Sequence, residues 1–72
     1  MAQRFPRLTA SEVVRILQHH GFILVSQRGS HQKWRNDVTN KQVIVPYHKG
    51  RLLPLGTLRG IIEGSGVPEN EF

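Results

Sequence analysis

Cysteine is absent from the sequence, which excludes disulfide bonds and thiolate metal sites as sources of stability. Acidic residues are few, five in 72, and no apolar run is long enough for a membrane span or a signal peptide. The length allows one small domain, whose stability must come from packing or from a partner. Because a chain without cysteine suits a reducing compartment, we expect a cytoplasmic protein that does not associate with membranes.

Positive charge is concentrated in the middle of the chain. Ten lysines and arginines against five acidic residues give a net charge of +5, and six of these cations lie between Arg28 and Arg51, where Asp37 is the only anion. Such a cluster is typical of a protein that binds a polyanion, since neutralised phosphates release their counterions. Net charge alone also serves solubility, but the clustering favours nucleic acid as the partner.

The apolar pattern predicts a single α+β domain over residues 9–72, preceded by an irregular basic lead-in over residues 1–8. Thr9 and Glu12 have the spacing of a capping box, which predicts a first helix over residues 10–20 that stops at Gly21. Three antiparallel strands are predicted over residues 22–28, 31–35 and 42–45. A surface loop is predicted over residues 47–54, a second short helix over about 57–62, and a final turn over 68–72.

Turn and cap residues separate these elements. Asn36, Asp37 and Asn40 predict the turn between the second and third strands. Gly56 and Thr57 are expected to open and cap the second helix, whose free amides could also receive a phosphate. Two glycines are expected to stop that helix, at positions 64 and 66.

The order αβββα predicts an antiparallel sheet with two helices on one face, which leaves the other face open to solvent. Side chains alternate along a strand, so His31, Lys33 and Arg35 share one face. Trp34 lies on the opposite face, and its large apolar side chain belongs in the core. The three basic residues are therefore expected on the open face, unless a bulge at Gly29 breaks the alternation.

Cleavage of RNA requires little from a protein, because the 2′-hydroxyl is itself a nucleophile. A group that moves a proton near neutral pH and positive charge around the phosphate are sufficient. Histidine, with a free pKa of about 6.5, meets the first need, and Gly29 with Ser30 would let a phosphate approach the backbone next to His31. On spacing alone, however, an ordinary surface histidine is the commoner case.

Three short motifs occur in one order along the chain. They are Gly29, Ser30 and His31 before an aromatic residue at Trp34; Val45 and Pro46 before His48, Lys49 and Gly50; and Gly56, Thr57 and Leu58 at the last helix. In this combination the chain resembles the HicA family of toxins from about residue 11 to residue 72. Trp34 stands where Tyr or Phe is commoner, and the lead-in is longer than in many members, but neither difference changes the assignment of the active site.

The resemblance implies a fold like that of a double-stranded-RNA-binding domain and the activity of an mRNA interferase, an endoribonuclease that cuts mRNA. It also implies that the protein is the toxin of a type II toxin-antitoxin system. Such a toxin is expected to be monomeric by itself and to be held inactive in a larger complex with a HicB-type antitoxin. The family's catalytic histidine corresponds to His31. No cluster of carboxylates is present to hold magnesium, so we expect a metal-independent reaction without a cofactor.

The remaining basic residues are candidates for RNA contacts. His48 could act as a second acid or contact a phosphate, although a histidine that holds its loop is the simpler interpretation. Lys49 and Arg51 are expected to hold RNA phosphates or an acidic surface of the antitoxin. The predicted RNA-binding residues are Ser30, Lys33, Arg35, His48, Lys49 and Arg51. The alternative to a nuclease is a non-catalytic RNA-binding module of the same fold, in which His31 is incidental.

Overall fold

The computed structural model describes residues 7–72, so the first six residues of the predicted lead-in lie outside the described residues. The elements are α1 (Ala10–His19), β1 (Phe22–Arg28), β2 (His31–Asn36), β3 (Lys41–Pro46), α2 (Leu55–Ser65) and a 3-10 helix (Glu69–Glu71). This order confirms the predicted αβββα layout and α+β class. Leu8, the last residue of the predicted lead-in, packs against the core and accepts a hydrogen bond from the Leu53 N–H at 2.7 Å.

Helix α1 begins where its capping box predicts. The Thr9 backbone N–H donates to the Glu12 carboxylate at 2.9 Å, and the Glu12 N–H donates to the Thr9 hydroxyl at 3.3 Å. The hydrogen bond from the Thr9 N–H, followed by that from its hydroxyl, holds the pKa of Glu12 below its ordinary value. The helix ends at His19, one residue earlier than predicted, and Gly21 reverses the chain with a φ of 89°.

The three strands form one antiparallel sheet with β2 in the middle. Trp34 lies opposite Leu24 of β1 and is buried at 5 % exposure, whereas His31 is exposed. The predicted alternation along β2 is therefore confirmed, and the bulge considered at Gly29 is absent. The register shifts instead inside β1, between Leu24 and Ser26.

The turn between β2 and β3 starts one residue later than predicted. Asn36 is the last residue of β2, buried at 8 % exposure, rather than an exposed turn residue. Its side-chain oxygen accepts hydrogen bonds from the Val38 and Thr39 N–H groups, and its amide donates to the His20 carbonyl at 2.8 Å. Asn36 therefore shapes the turn from inside the fold and ties it to the end of α1. Strand β3 begins one residue earlier than predicted and extends one residue further, to Pro46.

Both helices pack on the sheet face that carries Trp34, as predicted. The buried apolar core draws side chains from every α-helix and strand and from the segments beside α2. Its members are Ala10, Val13, Leu17, Phe22, Trp34, Val43, Val45, Leu53, Leu58, Ile61, Ile62 and Val67. The segment predicted as a surface loop, 47–54, thus contributes a core residue, Leu53, and its neighbour Leu52 forms an isolated β-bridge with Thr9.

Helix α2 differs from its prediction at both ends. It begins at Leu55, without a side-chain cap, so the predicted capping role of Thr57 is wrong and this residue lies in the first helical turn. The predicted stop at Gly64 is also wrong, because α2 continues through this residue close to β3. The helix ends instead before Gly66, which adopts a left-handed conformation with a φ of 70°. The second predicted stop is therefore confirmed.

Candidate nucleic-acid interface

The open face of the sheet carries three rows of cross-strand neighbours. The row nearest the β1–β2 turn contains Arg28, His31 and Pro46; the next contains Ser26, Lys33 and Ile44; and the third contains Ile23, Arg35 and Gln42. His31 is exposed, and Lys33 and Arg35 are half-buried. The antiparallel pairing thus brings an imidazole and several cations onto one solvent-facing surface.

A depression in this face surrounds His31. Its lining residues are Ser26, Gln27, Arg28, His31, Lys33 and Ile44. Two of them are cations, one is a histidine and none is a carboxylate, considering the part of the chain that the structure describes. Positive charge around a concave surface attracts phosphate and stabilises negative charge that develops on it.

The two-residue turn before β2 determines where His31 lies. Gly29 has a φ of 57°, which favours glycine, and the Ser30 carbonyl accepts a hydrogen bond from the Tyr47 N–H at 2.7 Å. The short turn places Arg28 directly opposite His31. Sequence reasoning counted Arg28 in the basic cluster but missed it as a site residue. The sequence did contain the signal for Arg28, because the two residues that flank a two-residue turn lie opposite each other in the paired strands.

Arg35 is less available than the alternation along β2 suggests. Its Nε donates to the Asp37 carboxylate at 2.8 Å, in an ion pair at the surface. It also lies in the row furthest from His31 and does not line the depression. Lys33 and Arg28 are therefore the cations that the fold brings beside the imidazole.

The basic residues after β3 belong to a second, neighbouring depression. It is lined by Pro46, His48, Arg51, Leu52, Leu53, Pro54 and Thr57. Pro46 also lies opposite His31 in the ladder, so one lining residue of this second depression is the cross-strand neighbour of the imidazole. Lys49 is exposed in the following turn, and Ser30 is half-buried in the β1–β2 turn, and neither lines either depression. The structure thus divides the predicted RNA-binding set between adjacent surfaces.

The described part of the chain contains neither a metal-binding cluster nor a membrane-spanning helix. Within residues 7–72, no three histidine, aspartate or glutamate side chains come close enough to share a metal ion. No helix in that range combines the length and the apolar character needed to cross a membrane.

The fold and this face define a small basic α+β domain with a histidine on the solvent-facing side of its sheet. A family model described as "HicA toxin of bacterial toxin-antitoxin" matches residues 10–67 of the 72-residue chain. The chain therefore belongs to the HicA toxin family, and the family resemblance seen in its motifs is confirmed. The matched region contains every residue that lines the two depressions. No curated protein matches the sequence.

Proposed function

We propose that this toxin is an endoribonuclease that cleaves mRNA in the cytoplasm, with His31 as the residue that moves the proton. The observation that carries the proposal is the position of His31, exposed in a depression between Arg28 and Lys33. Membership of a toxin family supports an activity that harms the cell. A cationic, histidine-bearing surface is suited to RNA, which brings its own nucleophile to the site.

In the proposed reaction the 2′-hydroxyl oxygen attacks the adjacent phosphorus, and the bond from phosphorus to the 5′-oxygen breaks. The 2′-hydroxyl loses a proton and the leaving 5′-oxygen gains one. His31 takes the first proton as a base, or supplies the second as an acid. Arg28 and Lys33 offset the additional negative charge on the phosphoryl oxygens. No step requires a metal ion.

The second depression extends the interface along the RNA. His48 and Arg51 line it together with Pro46, the cross-strand neighbour of His31, and exposed Lys49 follows His48 in the chain. We assign these three residues to phosphate contacts that position the strand, because mobile cations near a polyanion hold it without reading its sequence. Ser30 and Arg35 are assigned weaker contacts at the edges of the same surface.

Purified protein, RNA and a metal chelator test the proposal. The wild type should cut RNA in the presence of the chelator, and His31→Ala should slow single-turnover cleavage by at least about 100-fold, which is what loss of a proton-transfer group costs. RNA affinity should stay close to that of the wild type. His19→Ala is the matched control, since it removes an exposed histidine from α1, on the other side of the sheet.

The same variants in bacteria test the biological role. Induced wild type should arrest growth and degrade mRNA, His31→Ala should do neither, and co-expression of the cognate HicB-type antitoxin should restore growth. Equal toxicity and equal cleavage by His31→Ala would reject His31 as the catalytic residue. Tight RNA binding without cleavage by the wild type would instead establish the non-catalytic RNA-binding module.

A further inference from the structure

A chain of side-chain hydrogen bonds connects the buried core to the turn that carries His31. The Trp34 indole N–H donates to the Gln32 side-chain oxygen at 3.1 Å, and the Gln32 amide nitrogen donates to the Gln27 side-chain oxygen at 3.4 Å. The Gln27 amide nitrogen then donates to the Gly29 carbonyl at 3.0 Å. We call these three hydrogen bonds the amide chain.

The amide chain has a single direction. An indole N–H can only donate, so the Gln32 oxygen must face it, and the Gln32 NH2 group must point towards Gln27. The same constraint then fixes Gln27, which accepts from one side and donates to the Gly29 carbonyl on the other. Because Trp34 is 5 % exposed within the core, the direction of the chain is set by a side chain that cannot easily move.

The amide chain ends at the backbone of Gly29, in the turn between β1 and β2. Gly29 has no side chain and a left-handed φ of 57°, and a Cβ built there would meet no atom within 4 Å. The next carbonyl, that of Ser30, is held by the Tyr47 N–H. The two consecutive carbonyls before His31 are therefore both fixed, one by the amide chain and the other by the backbone after β3.

From this geometry we infer that Gln27 and Gln32, held in place by Trp34, are positioning residues for His31. They lie opposite each other in the β1–β2 ladder, immediately below the turn. They hold the Gly29–Ser30 turn so that His31 and Arg28 line the same depression. This inference rests on the proposed nuclease function, and it adds residues that touch neither the RNA phosphate nor the transferred proton.

A kinetic experiment tests this role. Gln27→Met and Gln32→Met preserve side-chain length but remove the hydrogen bonds, and Trp34→Phe removes the indole N–H. Each should lower the single-turnover cleavage rate at saturating RNA by about 10-fold to 100-fold, because reacting groups tolerate little misplacement. RNA affinity should stay within about twofold. The double variant Gln27→Met/Gln32→Met should cleave RNA no more slowly than Gln27→Met alone, because both glutamines act through the same amide chain.

Gln18→Met is the matched control, because Gln18 is exposed on α1 and lies outside the amide chain. Its cleavage rate should equal that of the wild type. Cleavage rates within twofold of wild type for Gln27→Met and Gln32→Met would overturn the inference. A decrease in RNA affinity as large as the decrease in cleavage rate would also overturn it. Measurements at a temperature well below every unfolding midpoint exclude simple loss of folded protein.

Amide hydrogen exchange tests the positioning role independently of nuclease activity. Exchange at Ser30 and His31 should be faster in Gln27→Met than in the wild type, while exchange in α1 should not change. If the wild type does not cut RNA, the proposed function fails but this measurement still decides whether the amide chain orders the turn. Unchanged exchange at both residues would overturn the inference even in an active nuclease.

Discussion

Glu12 is a single residue whose charge state is coupled to the start of α1. Its carboxylate accepts hydrogen bonds from the Thr9 N–H at 2.9 Å and from the Thr9 hydroxyl at 3.0 Å, and the pKa of Glu12 is lowered from 4.5. A carboxyl whose pKa is lower in the folded state stabilises that state above its unfolded pKa. This contribution is then lost as the pH falls through the folded value.

We therefore predict a pH-dependent effect of Glu12→Gln on stability. At about pH 7 the variant should unfold at a lower urea concentration than the wild type, since it loses the favourable charge in the first helical turn. The difference should shrink as the pH falls below 4.5 and disappear once the pH is below the lowered pKa of Glu12 in the folded protein, because Glu12 is then protonated in both states. Glu63→Gln, at an exposed position on α2, is the control. A difference that stays constant across this range would contradict the prediction.

At the scale of an element, α2 contains three glycines with different surroundings. A Cβ at Gly56 or Gly60 would meet no atom within 4 Å, whereas a Cβ at Gly64 would lie 3.2 Å from the Val43 Cγ1 atom and 4.0 Å from the Gln42 carbonyl oxygen. Gly64 thus lets the helix approach β3 closely. The other two glycines only weaken the helix, because glycine is a poor helix former.

Gly60→Ala and Gly64→Ala form a matched pair for this interpretation. Gly60→Ala should stabilise the protein by about 0.5–1 kcal/mol, the difference in helix propensity between the two residues. Gly64→Ala should gain nothing or destabilise the protein, because the added methyl group crowds the buried Val43 side chain. Urea unfolding of both variants measures the difference. Equal stabilisation by both would show that the contact between α2 and β3 tolerates a methyl group.

The elements also show what local sequence can predict. The capping box located the start of α1 to the residue, since its hydrogen bonds connect positions only three apart. The register shift between Leu24 and Ser26 is a β-bulge in β1. It was not predictable, because Ile23, Leu24 and Val25 are all apolar and the apolar pattern fits the strand register with or without the extra residue. Without that extra residue, alternation from Phe22 would turn Arg28 towards the helices. The bulge is therefore what brings Arg28 onto the face that carries His31.

At the scale of the whole molecule, the site was predictable only in part. Alternation along β2 placed His31 and Lys33 on the open face, because it depends on one strand and the burial of Trp34. The division between two depressions was not predictable, since it depends on how the segment after β3 packs against α2. The Arg35–Asp37 ion pair was likewise missed, although it joins residues only two apart.

The distribution of charge over the whole molecule gives a final prediction, on salt dependence. Each lysine or arginine that contacts a phosphate of single-stranded RNA adds about 0.7 to the slope of log affinity against log salt concentration. Lys33→Gln and Arg28→Gln should each reduce that slope by about this amount, because both side chains line the depression around His31. Arg15→Gln removes the same charge from α1, behind the sheet, and should leave the slope unchanged. Titrations of His31→Ala variants with labelled RNA at several salt concentrations measure the slopes without cleavage. An equal decrease for Arg15→Gln would mean that net charge, rather than this face, binds the RNA.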